Sequence, residues 1–269
     1  MNKYPSKFEK APRSIVREAR YEDIDRLVEL EFETFHDVYE GGTFDARAVR
    51  NMMLTRLSIA QELMIVGEVD GVVEGVMACQ RSNKGADDVR SWEETTNNGT
   101  LVGTHVPDGK NFYIVNLAIT KKGTEHKLFD QLTARMIARF VEVRGEEAQL
   151  LSRIPQFSQW LIEQGIDFAA LDNDEQDALA NKYVTVTKMI DGKERLYDGV
   201  LRRYVEFGVK PVSVLRDSYN DPSSHNYEVL CIFKNPLPET LKRNRIISRL
   251  AGRAIRYASN HPDLLRYLP

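Results

Sequence analysis

The segment from Asn111 to Gly145 constrains the fold of this chain more than any other stretch. Residues 111–120 are aromatic, β-branched and almost uniformly apolar, which is typical of a strand buried on both faces of a sheet. Residues 121–124 form a short polar loop, and Thr124 is predicted to cap the helix that follows. A strand, a short loop and a helix start form a known anion-binding geometry. The helix is predicted from an apolar stripe of Leu128, Phe129, Leu132, Met136, Ile137 and Phe140.

Length and composition predict one globular domain, with or without an insertion. The chain has 269 residues, of which 42% are hydrophobic and 29% are charged, so it can bury a full core. Cys79 and Cys231 lie in strand-like runs without metal-ligand spacing, which favours buried free thiols, no bound metal and a reducing compartment. A net charge of −3 argues against nucleic acid as a partner.

The N-terminal residues and the hydropathy pattern indicate where the protein works. Residues 1–13 are polar and contain proline, so we expect them to be loosely ordered, and they lack the apolar core of a signal peptide. No apolar run approaches the ~20 residues of a membrane-spanning helix, so no transmembrane segment is predicted. We therefore expect a cytoplasmic protein.

Before the central strand, the pattern predicts one strand, two helices and a hairpin. Asp23 stands where a helix cap is expected, and Asp70-Gly71 is a dipeptide suited to a two-residue hairpin turn. Residues 41–44 are predicted to form a turn. The predicted elements are a strand at 14–20, helices from 24 and at 46–57, and strands at 63–68 and 72–81.

Two polar stretches interrupt the remaining elements. Residues 82–110 are rich in turn residues, with a short strand predicted at Leu101 and Val102. Residues 157–191 are helix-like but irregular. A strand at 148–154 should lie parallel to the central strand, because a helical crossover connects them. The last predicted elements are a helix at 196–207 and strands at 211–216 and 227–234.

This order resembles the GNAT superfamily of acyltransferases over residues 14–237. The sequence NLAIT at 116–120 is similar to the family's central strand, and RRYVEFGVKPVSVL at 202–215 is similar to a late segment in which tyrosine precedes glycine by four. SWEETTNNGTLVGTHVPDGKNFYIVNLAI and RIPQF resemble a bacterial subgroup with long insertions. The resemblance implies an α/β fold with a mixed, mostly antiparallel sheet of about seven strands, and insertions near 82–110 and 157–195.

The resemblance also implies a reaction. Such enzymes pass an acyl group, usually from acetyl-CoA, to an amine of a small molecule or peptide through a tetrahedral intermediate. The pantetheine arm lies between the fourth and fifth strands, where Leu117 and Ile119 would offer backbone groups. The pyrophosphate rests on N–H groups at the start of the central helix. Acyl thioester is therefore the expected co-substrate, and no metal is expected.

The loop before the central helix departs from the family pattern. Lys127 and Phe129 stand where small residues normally let the backbone approach phosphate, and Glu125 adds a carboxylate. Either the rebuilt loop still binds CoA, or it no longer binds a nucleotide. The cofactor-binding candidates in it are Lys121, Lys122, Thr124, Glu125, His126, Lys127, Leu128 and Phe129.

Tyr204 is the clearest catalytic candidate. It stands four residues before Gly208, like the family tyrosine that protonates the leaving thiolate, although it could instead be an aromatic packed beneath the last hairpin. Arg153 is a substrate-binding candidate for an acceptor carboxylate or an acyl-chain acid, with a surface or phosphate-facing role as the alternative.

The general base is harder to identify. Tyr113 occupies the central-strand position where family members often place a carboxylate, so the base must come from elsewhere or act through water. His105 is the leading alternative, because imidazole titrates near neutrality and its loop enters the central strand. The other candidates are Glu33, His36, Glu93 and Glu94.

The C-terminal residues 238–269 carry a separate signal, a basic amphipathic helix at 240–260. It could be a docking helix packed on the same domain, or it could contact an acidic acyl carrier protein, a membrane surface or RNA. A carrier protein delivers the same phosphopantetheine thioester without a nucleotide pocket, which would explain the missing glycines. Three functions compete: an acyl-CoA N-acyltransferase, a carrier-dependent acyltransferase or decarboxylase, and a noncatalytic binding protein with this fold.

Overall fold

A computed structural model describes residues 14–39 and 45–265 of the chain. The predictions for residues 1–13 and 41–44 lie outside the described residues. The described chain contains the strands β1 (Ser14–Glu18), β2 (Met64–Val69), β3 (Val72–Ser82), β4 (Asn111–Ile119), β5 (Glu147–Arg153), β6 (Thr187–Ile190), β7 (Lys193–Leu196), β8 (Lys210–Arg216) and β9 (Tyr227–Lys234).

The helices follow the predicted order, with several short ones added. No helix among the described residues is both long and apolar enough to cross a bilayer. They are α1 (Ile24–Thr34), α2 (His36–Tyr39), α3 (Ala46–Ala60), α4 (Trp92–Thr96), α5 (Lys121–Glu125), α6 (Leu128–Glu142), α7 (Phe157–Glu163), α8 (Asn173–Tyr183), α9 (Gly199–Glu206), α10 (Glu239–Lys242), α11 (Arg245–Ser259) and α12 (Pro262–Leu265).

Seven strands form one mixed sheet in the order β1-β2-β3-β4-β5-β9-β8, and β6 and β7 form a separate hairpin. Only the β4–β5 pair is parallel, and the other pairs in the sheet are antiparallel. The helix α6 is the crossover between the two parallel strands and packs on β1 to β4, while α1 packs on β3 and β4. The predicted α/β fold with a mostly antiparallel sheet is confirmed.

Local signals in the sequence explain several elements. Asp70 and Gly71 both have positive φ, 54° and 83°, and form the predicted turn between β2 and β3. Cys79 and Cys231 are buried free thiols, as predicted. Asp23 precedes α1, but its carboxylate accepts hydrogen bonds from the Arg20 N–H and from Arg17 instead of capping the helix.

Two predictions of secondary structure were wrong. Leu101 has a φ of 67° and lies in a turn, so the short strand at Leu101 and Val102 does not form. The stretch 157–191 is not helical throughout, because its last residues pair with 193–196 as the β6–β7 hairpin, which turns at Asp191-Gly192.

The predicted C-terminal helix is divided into α10 and α11 by Asn244, whose side chain accepts hydrogen bonds from two N–H groups of the first turn of α11. α11 packs closely along α6. The close approach depends on Gly252, because a Cβ there would lie 2.7 Å from the Ala138 carbonyl oxygen and would collide with the Glu142 side chain. Glu142 also forms an ion pair with Arg256.

Replacing Gly252 with leucine is expected to loosen α11 from α6. The added side chain must displace Glu142 and the backbone at Ala138, so we expect a loss of roughly 1–3 kcal/mol in the free energy of unfolding. Urea unfolding followed by circular dichroism measures it. Ala254→Leu on the exposed side of α11 is the control. Equal losses in both variants would contradict the role given to Gly252.

Candidate functional site

The two parallel strands at the centre of the sheet pair only at one end. β4 and β5 are in register at Phe112–Ala148 and Tyr113–Gln149, and no further pairs follow. Beyond that point each strand keeps its other neighbour, because β4 continues to pair with β3 and β5 with β9. Residues 114–119 and 150–153 therefore face each other across an open gap, with backbone groups available to a ligand.

A β-bulge in β4 lies where the strands diverge. Ile114 and Asn116 pair with the adjacent residues Cys79 and Ala78 of β3, which leaves Val115 as the extra residue. The indole Nε1–H of Trp92 donates a 2.7 Å hydrogen bond to the Val115 carbonyl oxygen. The long insertion that carries Trp92 therefore holds the bulge in place.

A cavity of about 420 Å³, the central cavity, lies over this gap. It is bounded by α1, α2, α4, β4, β5, α9 and β9 and by the loop that carries Tyr219. The structure brings four of the candidates from the sequence together in its wall: Tyr204, Leu117, Arg153 and His36. Its other lining residues include Glu31, Asp37, Ile114, Asn116, Leu150 and Glu228.

Tyr204 reaches the central cavity from α9. Its ring packs on Phe129 with the ring centroids 5.6 Å apart, and burial raises the pKa of its hydroxyl. The hydroxyl therefore stays protonated at neutral pH and is available as a donor. Leu117 lies on β4 beside the gap, where the resemblance implied a pantetheine contact.

Glu31 and Asn116 form a buried polar pair at the wall of the cavity. The Asn116 amide nitrogen donates to a Glu31 carboxylate oxygen at 2.5 Å, and the Tyr39 hydroxyl donates to the other oxygen at 3.0 Å. Burial raises the pKa of Glu31, while the nearby Arg56 guanidinium and these hydrogen bonds oppose that shift. Asn116 lines the cavity, and its buried Oδ1 has no hydrogen-bond donor among the described residues, so it is an unsatisfied acceptor beside the cavity.

Glu228 is a second buried carboxyl group of the cavity. It lies on β9, is 3% exposed, and accepts a 3.1 Å hydrogen bond from the Ser218 hydroxyl. Its pKa is raised from 4.5 to about 8, mainly by burial and also by the nearby charges of Asp221 and Glu93, while the Ser218 hydrogen bond and the charge of Arg153 oppose the rise. A group with this pKa exchanges protons near neutrality, which suits a general acid or base.

Arg153 is held by carboxylates of the chain itself. Its Nε and Nη2 donate to the two oxygens of Asp221 at 2.7 and 2.8 Å, and Nη2 also donates to Asp37 at 2.6 Å. Burial would raise the pKa of Asp221, but the hydrogen bonds and charge of Arg153 lower it overall. The guanidinium thus ties the end of β5 to α2 and to the β8–β9 loop. Because Arg153 already binds two carboxylates of the chain, it is not well placed to bind a substrate carboxylate.

Two predicted catalytic residues lie away from the cavity wall. His105 accepts a 3.2 Å hydrogen bond from the Arg81 N–H through Nδ1, and burial lowers its pKa. Tyr113 is fully buried at the last paired position of β4, and burial raises its pKa. Neither residue lines the central cavity. Glu31 and Glu228, which line the cavity, are better placed for acid or base chemistry.

The remaining base candidates differ in position. His36 lines the cavity from α2. Glu93 lies close enough to Glu228 and Tyr113 to raise the pKa of both groups. Glu33 forms an ion pair with Arg26 at 3.5 Å, and Glu94 is an exposed residue of α4.

The cofactor loop is rebuilt as a short helix. Thr120, not Thr124, is the cap: its hydroxyl oxygen accepts a 3.0 Å hydrogen bond from the Gly123 N–H, because α5 begins four residues earlier than the predicted helix start. Thr124 instead donates to the Thr120 carbonyl oxygen. Lys122 lies near the carboxylates of Asp70 and Glu74. Lys121 and Glu125 are exposed, and the His126 carbonyl oxygen accepts from Gln131.

The start of α6 is closed by large side chains. Lys127 has a φ of 56° and marks the break between α5 and α6. Leu128 is fully buried beside Gly67 and Gly123, and Ile119 also packs beside Gly123. Phe129 contacts Tyr204 and also Phe207, at a ring distance of 5.8 Å. This part of the chain has no glycine-rich phosphate cradle.

A second concavity, the outer groove, lies on the other side of Phe129. It measures about 660 Å³ and is bounded by α6, α9, β9 and the C-terminal helices. A small apolar pocket of about 40 Å³ lies between them and shares Ile114 and Leu150 with the central cavity, and Ile137, Phe207 and Phe233 with the outer groove. The cations that line the outer groove are Lys127, Arg203 and Lys234, of which Arg203 is paired with Asp130 and Lys234 with Glu147.

Sequence reasoning missed Glu31, Asn116 and Glu228 as site residues. Glu31 stands on the apolar stripe of α1, seven residues after Ile24, and Glu228 interrupts the apolar run of β9. A carboxylate at a core position is the signal that could have found them. Asn116 was read only as part of the central-strand motif.

Glu228 is expected to make stability depend on pH. Because the folded state holds this proton up to about pH 8 and the unfolded state releases it near its ordinary pKa, stability falls as the pH rises between those values. The slope is about 1.4 kcal/mol per pH unit for one proton. Glu228→Gln should flatten the slope between about pH 5 and pH 8 in urea unfolding. The exposed Glu94→Gln should retain it, and an unchanged slope in Glu228→Gln would refute the assignment.

Solved structures of known proteins share this architecture. A GNAT-like decarboxylase, GphF, in complex with isobutyryl-CoA is 18% identical, with 82% of this chain and 99% of that chain covered and a TM-score of 0.57. The loading GNATL domain of CurA from Lyngbya majuscula is 14% identical, with 82% and 98% covered and a TM-score of 0.59. No protein-family model and no curated protein sequence matches the chain. The chain therefore has the GNAT fold, as its motifs implied.

Proposed function

We propose that this protein transfers an acyl group from a thioester to an amine in the central cavity. The observation that carries the proposal is the gap between β4 and β5, which begins after Tyr113 and is lined by Tyr204. The unpaired strand edges can bind the amide groups of a pantetheine arm as an added strand would. The buried free thiols Cys79 and Cys231 support a reducing, cytoplasmic setting.

The cavities suggest how the donor lies. The phosphate-bearing end of the donor would occupy the outer groove, near Lys127 and Lys234. Its arm would lie along the β4–β5 gap, beside Ile114 and Leu150, and present the thioester in the central cavity. Phe129, in contact with Tyr204, and the Arg203–Asp130 ion pair lie between the two cavities' lining residues.

The open acceptors of the cavity suit an amine. An amine N–H can donate to the Asn116 Oδ1, which lacks a donor among the described residues. An ammonium group can lose its proton to ionised Glu228, whose pKa of about 8 permits this transfer near neutrality. The acceptor is thus a small-molecule or peptide amine.

The reaction then proceeds by addition and elimination. The neutral amine attacks the thioester carbonyl carbon and forms a C–N bond, and the carbonyl oxygen takes the negative charge. Collapse of this intermediate breaks the C–S bond, and the thiolate takes a proton from Tyr204. The amide nitrogen releases its extra proton, which restores the tyrosine through solvent. The chain mainly orients the reactants and keeps them away from bulk water.

A carrier-bound donor is the second candidate. The rebuilt loop favours it, because Leu128 and Phe129 fill the space where a nucleotide pyrophosphate would meet backbone N–H groups. The similarity of the fold to a GNAT-like decarboxylase extends this alternative to decarboxylation of the acyl group. The arginines of α11 do not serve a carrier at the outer groove, because α11 borders that groove through Ile255 while Arg245, Arg249, Arg253 and Arg256 line a different groove.

Replacing Tyr204 with phenylalanine should lower turnover by roughly ten- to a thousand-fold, because the ring remains while the proton donor is lost. The release of thiol measures turnover, and thermal unfolding checks that stability is nearly unchanged. Tyr257→Phe on the exposed side of α11 is the matched control and should retain wild-type turnover. Wild-type turnover in Tyr204→Phe would remove this residue from the mechanism.

The shift in unfolding temperature on adding a thioester distinguishes a CoA-bound donor from a carrier-bound donor. A ligand that binds only the folded state raises the unfolding temperature, so acetyl-CoA at about 1 mM should stabilise the protein if the outer groove accepts a nucleotide. Stabilisation by an acyl-pantetheine or an acyl carrier, but not by acetyl-CoA, would indicate a carrier-bound donor. Stabilisation without turnover would indicate a noncatalytic binding protein. No shift with any thioester would contradict the proposed function.

A further inference from the structure

A third concavity, the basic groove, lies on the other side of α11 from the outer groove. It measures about 760 Å³, and among the described residues its walls carry eight cationic side chains and two carboxylates, Asp108 and Glu142. Six of the cations form the floor and the rim of this groove: Arg81, Arg139, Arg245, Arg249, Arg253 and Arg256.

The basic groove is separate from the donor route. It lies at the end of α6 and at the start of β4, whereas the β4–β5 gap opens towards the end of β4 and the start of α6. The 15 residues of α6 span about 22 Å at the ordinary helical rise. A ligand in the basic groove therefore cannot be the phosphate-bearing end of a thioester in the gap.

Arg81, Arg139 and Arg256 form the floor of the basic groove. Arg81 is only 9% exposed, and its Nε donates to the Gly109 carbonyl oxygen at 2.9 Å, while its two terminal nitrogens have no acceptor within the described ranges. Arg139 and Arg256 are half-buried, and each is paired with one carboxylate, Glu62 at 3.7 Å and Glu142 respectively. The terminal nitrogens of Arg81 are thus the donors of the floor that an anion placed against it would satisfy.

A row of arginines on α11 forms the rim. Arg245, Arg249 and Arg253 follow one another at four-residue spacing, all are exposed, and none forms an ion pair with any residue that the structure describes. Like charges at this spacing destabilise a helix. The close packing at Gly252 fixes α11 against α6, so the row cannot move away from the floor. A bound anion would relieve the repulsion.

We propose that the basic groove binds a small ligand that carries two or more phosphate groups. Arginine presents planar, paired donors that match phosphate oxygens, and phosphate concentrates more negative charge than a carboxylate. A compact polyanion that enters the groove can contact Arg81 at the floor and the arginines of the rim together. Acidic side chains on a docked protein helix would meet Arg245, Arg249 and Arg253 at the rim and leave Arg81 unpaired.

Calorimetric titration of the intact chain tests this inference. In about 50 mM salt, tripolyphosphate and ATP should bind at one site, AMP should bind more weakly, and affinity should fall as salt rises. Equal affinity for tripolyphosphate and ATP would show that the groove recognises the phosphate groups alone. Tighter binding of ATP would show that it also contacts the nucleoside. An acyl-pantetheine should not compete with either ligand. The readout is independent of turnover, so it does not depend on the proposed acyl transfer.

Variants locate the site. Arg249→Gln combined with Arg253→Gln should weaken tripolyphosphate binding about tenfold or more, because two charge-assisted contacts are lost. Arg81→Gln should also weaken tripolyphosphate binding. If Arg81→Gln fails to fold, the double variant at the exposed Arg249 and Arg253 still tests the site. Arg243→Gln is the matched control, since it is exposed on the same C-terminal segment but does not line the groove.

Four outcomes would overturn the proposal. Tripolyphosphate and ATP could fail to bind at about 1 mM, or Arg243→Gln could weaken binding as much as the double variant at Arg249 and Arg253. An acidic peptide or RNA could bind in place of the small phosphates, or tripolyphosphate could compete with the acyl-pantetheine, which would reject a separate site.

Discussion

The end of pairing between β4 and β5 is the constraint on which the rest of the site depends. A parallel pair that continued past Tyr113 would satisfy the backbone groups of both strands and leave no room for a ligand. The bulge at Val115, fixed by the Trp92 indole, lies where the strands part. One residue from a long insertion thus helps to keep the centre of the sheet open, and Tyr204 and the two buried carboxyl groups surround the opening.

The site keeps polar groups in a place where burial disfavours their charge. The buried Glu31 carboxylate accepts hydrogen bonds from Asn116 and Tyr39 and lies near the charge of Arg56. These three groups lower the free-energy cost of ionising it. Glu228 accepts a hydrogen bond from the Ser218 hydroxyl and lies near Asp221 and Glu93, which add to the rise in pKa that burial causes, while Arg153 opposes that rise. Burial thus raises the pKa of both carboxyl groups, although their hydrogen-bond partners and neighbouring charges differ. Carboxyl groups with raised pKa values at a cavity are candidates for acid and base roles.

The sequence predicts the parts of the fold that depend on local signals. The apolar run of 111–120 and the turn at Asp70-Gly71 appear where they were expected. The same dipeptide at Asp191-Gly192 also marked a hairpin, but four-residue strands are too short and too exposed for an alternating pattern to stand out. Periodicity places the carboxylates of Glu31 and Glu228 at core positions, but the cavity that both line is set by tertiary packing, so their place in the site could not be predicted from periodicity alone. The cap moved to Thr120 because residues 121–125 form a helix of their own.

Hydrogen–deuterium exchange with and without an acyl-pantetheine thioester tests the central claim most directly. The unpaired edges of β4 at 114–119 and of β5 at 150–153 face the gap in the free protein. If the donor arm binds there as an added strand, amides in these two segments should become protected, while the already paired residues 112, 113, 148 and 149 should change little. Protection confined to the outer surface of α6 or α9, with unchanged exchange in 114–119 and 150–153, would contradict the account.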